Sequence, residues 1–140
     1  MSDAIGADRV GFRINPGNTY NDTSDEDSVA SHVALMQAAA RIGVAFVHIM
    51  RSPVPEIDAF ALAREHFNGS LILNDRFGPE TAAAAISEGQ GDAVSFARHF
   101  IANPDLVSRI RKGLALARFD RKTIYTAGAA GYTDYPTAAE

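Results

Sequence analysis

Arg13 sits inside an apolar run, Val10-Gly11-Phe12-Arg13-Ile14, one residue before its carboxyl end. A guanidinium cannot shed its proton, so an arginine in such a run needs a partner. Two partners fit from spacing alone: a carboxylate on a neighbouring strand, or a ligand that carries or develops negative charge. Phe96-Ala97-Arg98-His99-Phe100 follows another apolar run and turns toward a helix. A small residue beside an arginine at such a turn suits phosphate, because backbone N–H groups and a guanidinium can converge on one anion. A solvated surface arginine is the plainer reading. Asn74-Asp75-Arg76-Phe77-Gly78 is the matching turn one unit earlier. An aspartate there opposes an anion unless Arg76 offsets it, and a simple loop in which Asp75 bonds its own backbone is the alternative.

Other chemistry finds little footing. The acidic loop Asp22-Thr23-Ser24-Asp25-Glu26-Asp27 lacks the glycine and terminal glutamate of a helix-loop-helix calcium site, and reads as a solvated helix cap. His48 stands alone in its strand, and His32, His66 and His99 have no metal-ligand spacing, so no metal site is expected. No serine occupies a nucleophile elbow. No glycine-rich dinucleotide or triphosphate loop is present.

Four short apolar runs must position these residues: strands near 10–14, 44–50, 71–73 and 93–96. Each is followed by a helical pattern. Val29, Val33, Met36 and Ala40 share one helical face, with Asp27 or Ser28 to cap it and Gly43 to end it. Ile57, Phe60, Ala61, Arg64 and Phe67 form a second such face, stopped at Asn68-Gly69. Pro79 opens an alanine-rich helix, and Asn103-Pro104-Asp105 starts a last one that Gly113 ends. The order β-α-β-α-β-α-β-α predicts an α/β fold with a parallel sheet and right-handed crossovers. Residues 1–140 read as a single domain with a tail over 114–140. Four units can form a small open sheet or one half of a (β/α)8 barrel. In either case the site lies beyond the carboxyl ends of the strands.

Composition narrows the classes. The 140 residues are too few for a complete eight-stranded barrel, which takes about 250. Thirteen Lys+Arg against seventeen Asp+Glu give a net charge of −4, a poor footing for nucleic acid or an anionic membrane. Without cysteine there is no disulfide framework, thiolate catalysis or iron–sulfur cluster. No apolar run reaches the roughly 18 residues of a membrane helix, and the amino terminus lacks the layout of a signal peptide. A cytoplasmic protein is the expectation.

Taken together, three segments resemble the C-terminal half of the Old Yellow Enzyme family of FMN-dependent NAD(P)H:flavin oxidoreductases and ene-reductases. They are Arg9-Val10-Gly11-Phe12-Arg13-Ile14-Asn15-Pro16, Gly43-Val44-Ala45-Phe46-Val47-His48 and Phe96-Ala97-Arg98-His99-Phe100-Ile101-Ala102-Asn103-Pro104-Asp105-Leu106. The tail Gly131-Tyr132-Thr133-Asp134-Tyr135-Pro136-Thr137 is similar to that family's ending.

The resemblance implies strands five to eight of a TIM barrel, with FMN across its carboxyl end and NAD(P)H as reductant. It aligns Arg13 with the arginine beside the flavin N1/C2 edge, where a fixed cation stabilises the anionic reduced ring. It aligns Arg98 and the Ala97 backbone with the phosphate contacts, and Asp75 and Arg76 with the other phosphate turn. Tyr125 falls near the aromatic residue at the mouth of the active site. The family usually has glycine where this chain has Asp75 and Ala97, and often proline in place of His99. Alanine is acceptable only if φ is negative there. The half carrying the substrate-polarising pair and the tyrosine proton donor has no counterpart among these residues.

The expected function is therefore the C-terminal half of an ene-reductase acting on electron-poor alkenes or nitro compounds. It is expected to be inactive alone, needing a complementary N-terminal half or self-association. The alternative is a non-catalytic FMN- or phosphate-binding half barrel, or a degenerate fragment with a structural role.

Overall fold

The computed structural model describes residues 1–138, and the chain divides into two compact units, Met1–Ser95 and Phe96–Glu140. The first unit opens with a single helical turn, α1 (Ser2–Ile5), and a 3-10 turn, Ala7–Arg9. Four strands follow, β1 (Gly11–Ile14), β2 (Phe46–Met50), β3 (Ser70–Asn74) and β4 (Ala93–Ser95), all parallel in the order β1-β2-β3-β4. Between them run α2 (Ser28–Ile42), α3 (Ala59–His66) and α4 (Pro79–Ser87). This is the α/β alternation that the apolar runs predict.

Local chemistry sets the helix ends. The Asp27 carboxylate accepts from the Ala30 N–H at 2.9 Å, and Gly43 ends α2 at φ 74°, a left-handed turn that favours glycine. Asp58 accepts from the N–H groups of Phe60 and Ala61. Pro79 opens α4, where its missing N–H costs nothing.

Strand alternation divides the sheet into two unlike faces. Val47, Ile49, Leu71 and Leu73 point to the helices and are at most 1% exposed. Burying them contributes about 1.5–3 kcal/mol each, and this helix-covered layer is the core of the unit. The opposite face carries Gly11, Arg13, Phe46, His48, Met50, Ile72, Asn74, Ala93 and Ser95, which share its registers. None of these nine is buried, and Phe46 is 38% exposed. The Phe46 ring lies over Gly11, where a Cβ would collide with it.

The second unit holds α5 (Arg98–Ala102) and α6 (Leu106–Lys112), followed by turns. The last helix starts at Asn103-Pro104-Asp105, with Asp105 at its N-cap. Asn103 is fully buried with its amide satisfied. Its Nδ2 donates to the carbonyls of His99 and Ala117, and its Oδ1 accepts from the Ala117 N–H. Buried Arg109 similarly ties α6 to the tail. It donates to Asp105 at 2.7 Å and to the carbonyls of Ala115 and Pro136. Of the tail read over 114–140, residues 139 and 140 lie outside the described residues.

Candidate functional site

On the open face of the sheet, four polar residues from four strands form one connected chain. Arg13 Nη2 donates to Asn74 Oδ1 at 2.8 Å and reaches Met50 Sδ at 3.6 Å. Arg13 Nη1 lies 3.1 Å from His48 Nε2 and 3.4 Å from Nδ1. His48 Nε2 is 2.8 Å from Ser95 Oγ. Asn74 Nδ2 donates to the Ser95 carbonyl at 3.0 Å and to its Oγ at 2.9 Å. Burial, and then the Arg13 guanidinium beside it, hold the His48 imidazole below its ordinary pKa.

Arg13 therefore does not form the ion pair with a neighbouring strand's carboxylate that spacing alone allows. Among the described residues its contacts are a histidine, an amide and a thioether, and its side chain is exposed. A fixed cation with neutral neighbours at the carboxyl end of a parallel sheet leaves its positive charge available to an anionic or charge-accepting ligand.

The turn after β3 also lies in the first unit. Asp75 and Arg76 both adopt left-handed backbone, at φ 78° and 60°. That conformation favours glycine, and aspartate is among the residues that tolerate it best. Arg76 Nε lies 3.3 Å from Asp75 Oδ2, so the arginine offsets the carboxylate as the residue types suggest.

Ala97, Arg98 and Tyr125 belong to the second unit. Ala97 has φ −102°, which alanine adopts freely, so the replacement of glycine there costs no strain. Arg98 and Tyr125 line one cavity of about 240 Å³ with Arg121 and Ile124. Phe119 organises it: the guanidinium carbons of Arg98 and Arg121 stand 5.5 Å and 6.0 Å from its ring centroid. Tyr125 is 92% exposed, whereas Ile124 beside it is buried. A larger cavity of about 610 Å³ lies on α3 and the end of α4, where Asp58, Glu65 and Glu88 outnumber Arg51 and Arg64, a lining unsuited to an anion.

Residue type and spacing give His48 and Asn74 no link to Arg13 and do not single out Ser95 or Arg121. For the first three a signal exists: a period of two, applied to each strand in parallel register, puts them on the Arg13 face. Arg121 depends on how the turns after α6 fold, for which no periodicity exists.

A four-stranded parallel sheet alternating with helices, with an exposed arginine on its open face, defines an α/β protein of half-barrel length. The chain belongs to the NADH:flavin oxidoreductase / NADH oxidase family, whose profile matches residues 1–117. It is 43% identical over 135 residues to a probable flavin mononucleotide-dependent alkene reductase of Leishmania infantum, covering 95% of this chain and 37% of that protein. It is 33% identical to a 12-oxophytodienoate reductase-like protein of Solanum lycopersicum, covering 97% of this chain and 38% of that one. Among solved structures, the old yellow enzyme from Trypanosoma cruzi superposes with a TM-score of 0.90 at 38% identity, over 99% of this chain and 37% of that chain. Morphinone reductase in complex with tetrahydroNAD gives 0.87 at 34% identity, over 99% and 38%.

The Old Yellow Enzyme resemblance is thus borne out, and these neighbours are TIM-barrel enzymes. The chain spans a little over a third of the length of the relatives it matches. Its family is one of oxidoreductases that use FMN and NAD(P)H. No helix among the described residues is long and apolar enough to cross a membrane.

Proposed function

We propose that this chain is the flavin-holding C-terminal half of an FMN-dependent ene-reductase, catalytically silent until its sheet is completed. The observation that carries this reading is Arg13. It is a permanent cation, held among the described residues by a histidine, an amide and a thioether, with its side chain exposed near the carboxyl end of its strand. In this reading Arg13 meets the N1/C2 edge of the ring, where negative charge develops on reduction. Arg98 and the Ala97 backbone N–H hold the phosphate, and Arg76 screens Asp75 at the second phosphate turn. Tyr125 covers the mouth. The residues fit the group: the Ala97 backbone is unstrained, and Arg98 shares its cavity with Arg121. FMN, when bound, supplies the N5 hydride relay from NAD(P)H to an electron-poor alkene or nitro compound.

Completion is the second part of the proposal. β1 and β4 form the sheet's edges, and Phe46, Met50 and Ile72 stand on its uncovered face. Such edges and faces favour association, either with an N-terminal half barrel or with a second copy.

Native mass spectrometry of the chain after incubation with FMN tests both parts. The expected result is a flavin-carrying assembly larger than a monomer. A monodisperse, flavin-free monomer would defeat the proposal. Incubated with NADPH and cyclohexenone, the chain by itself should give negligible turnover; sustained multiple turnover would refute its dependence on completion.

A further inference from the structure

His48 has no part in the flavin reading above, yet it is the centre of the polar chain on the open face. Its Nε2 meets the Ser95 hydroxyl at 2.8 Å, and Arg13 Nη1 stands 3.1 Å from Nε2 and 3.4 Å from Nδ1. One guanidinium nitrogen that close to both ring nitrogens lies over the imidazole, where a neutral aromatic ring attracts a cation. The imidazolium would set two cations against each other. Ser95 is itself held: its Oγ accepts from Asn74 Nδ2, and Asn74 Oδ1 takes the other arm of the guanidinium. Because the Ser95 hydroxyl also reaches the Leu73 carbonyl at 3.4 Å, it can accept from a protonated Nε2; protonation of His48 therefore keeps the Ser95 contact and opposes only the guanidinium.

We infer that His48 is a positioning residue: held by Ser95 and neutral, it aims the Arg13 guanidinium along the open face, and its protonation releases Arg13. The consequence for ligand rests on the flavin reading of Arg13, since what is released is the cation assigned to the N1/C2 edge.

The electrostatic setting isolates this response. Arg13 on β1 is the charged group that faces His48. β3 presents Ile72 and Asn74 to the same face, and β4 presents Ser95. The lowered pKa of His48 agrees with a ring kept neutral beside a cation.

Nitrogen NMR on the full chain tests the positioning directly, without any ligand. The Arg13 Nε–H resonance and the His48 ring nitrogens are followed from about pH 8 to about pH 5, across the histidine range. In the wild type, the Arg13 resonance should be sharp while His48 is neutral and should exchange-broaden with the same midpoint as the ring. His48→Phe keeps an uncharged ring and should hold Arg13 ordered across the whole range. His48→Ala should leave it disordered at every pH. An Arg13 resonance that ignores the His48 titration, or that is lost equally in the Phe and Ala variants, would overturn the inference. If either variant fails to fold, the wild-type titration and Ser95→Ala, in which Arg13 should loosen at neutral pH, still decide it.

A second arm uses riboflavin, because the FMN phosphate itself titrates near about pH 6. Its affinity for the wild type should weaken about tenfold on protonation of His48, the scale of one charge-assisted hydrogen bond, and should not vary with pH in His48→Phe. Affinity that stays constant in the wild type while Arg13 is released would sever Arg13 from the flavin. Absence of riboflavin binding at any pH would count against the flavin reading, while the NMR arm still settles the role of His48.

Discussion

Arg13 Nη2 and Asn74 Oδ1 meet at 2.8 Å, tying β1 to β3 across the intervening β2. The Asn74 amide spends its hydrogens on Ser95, so one residue joins the arginine to β4 as well. Every partner of the guanidinium in this arrangement is neutral. The geometry of the cation is set by the sheet, while its charge is left for something outside it.

Replacing Arg13 by alanine should lower the reduction potential of flavin bound to the chain. Removing a fixed cation from beside the ring disfavours its anionic reduced form. Redox titration of the FMN-loaded variant against wild type measures this directly. An unchanged potential would remove Arg13 from the N1/C2 edge.

Arg98→Ala should weaken FMN binding by tenfold or more, the worth of a charge-assisted contact to phosphate, and should barely affect riboflavin. Fluorescence titration of both ligands provides the comparison. Equal losses for the two would place Arg98 elsewhere than at the phosphate. Arg121→Ala belongs in the same series, because it lines the same cavity.

At Asp75, the backbone sits at φ 78°. Asp75→Gly should therefore fold more stably than Asp75→Ala, by about 1 kcal/mol, since only alanine pays the Cβ penalty of the left-handed region. The glycine variant should also bind FMN more tightly than wild type, having shed a negative charge from a proposed phosphate turn. Chemical denaturation and flavin titration of the two variants check both statements. A more stable alanine variant would contradict the turn geometry.

Acid should destabilise the chain in two stages. Hydrogen bonds from Arg109 and the Ala138 N–H hold the Asp105 carboxyl below the ordinary carboxylate range, and bonds from Arg64 and the Leu71 N–H do the same for Asp92. A carboxyl depressed in the folded state contributes fully above its unfolded pKa, near about 4, and loses that contribution as pH falls through the folded value. His48 acts earlier: its folded pKa also lies below the unfolded value, so stability begins to decline as pH drops through about 6.5. Thermal melts from about pH 8 to about pH 3 should show a shallow loss first and a steeper one below about pH 4. His48→Gln should abolish the shallow stage, and Asp105→Asn should blunt the steep one. A melting temperature that rises on acidification would contradict all three assignments.

How much of this was legible in the sequence follows from which interactions are local. The strands near 10–14, 44–50, 71–73 and 93–96 are found within two residues of those expected at each end, because β-branched runs bounded by turns declare themselves. Asp27, Gly43, Pro79 and Gly113 mark helix ends, since capping is settled within one turn of chain. Parallel pairing follows from the alternation of strands and helices. Arg13 and Arg98 stand out by residue type, an arginine in an apolar strand and another at a strand-to-helix turn. The sequence alone could not tell that Arg13 has neutral neighbours. That depends on register, which brings residues 35 and 61 positions away to the same guanidinium. Nor could it tell that Asn103 is buried with its amide satisfied, because that requires the Ala117 backbone to return beside it. Local propensity determined the elements of this protein; only the packing of distant strands onto one face decided which of its polar residues act together.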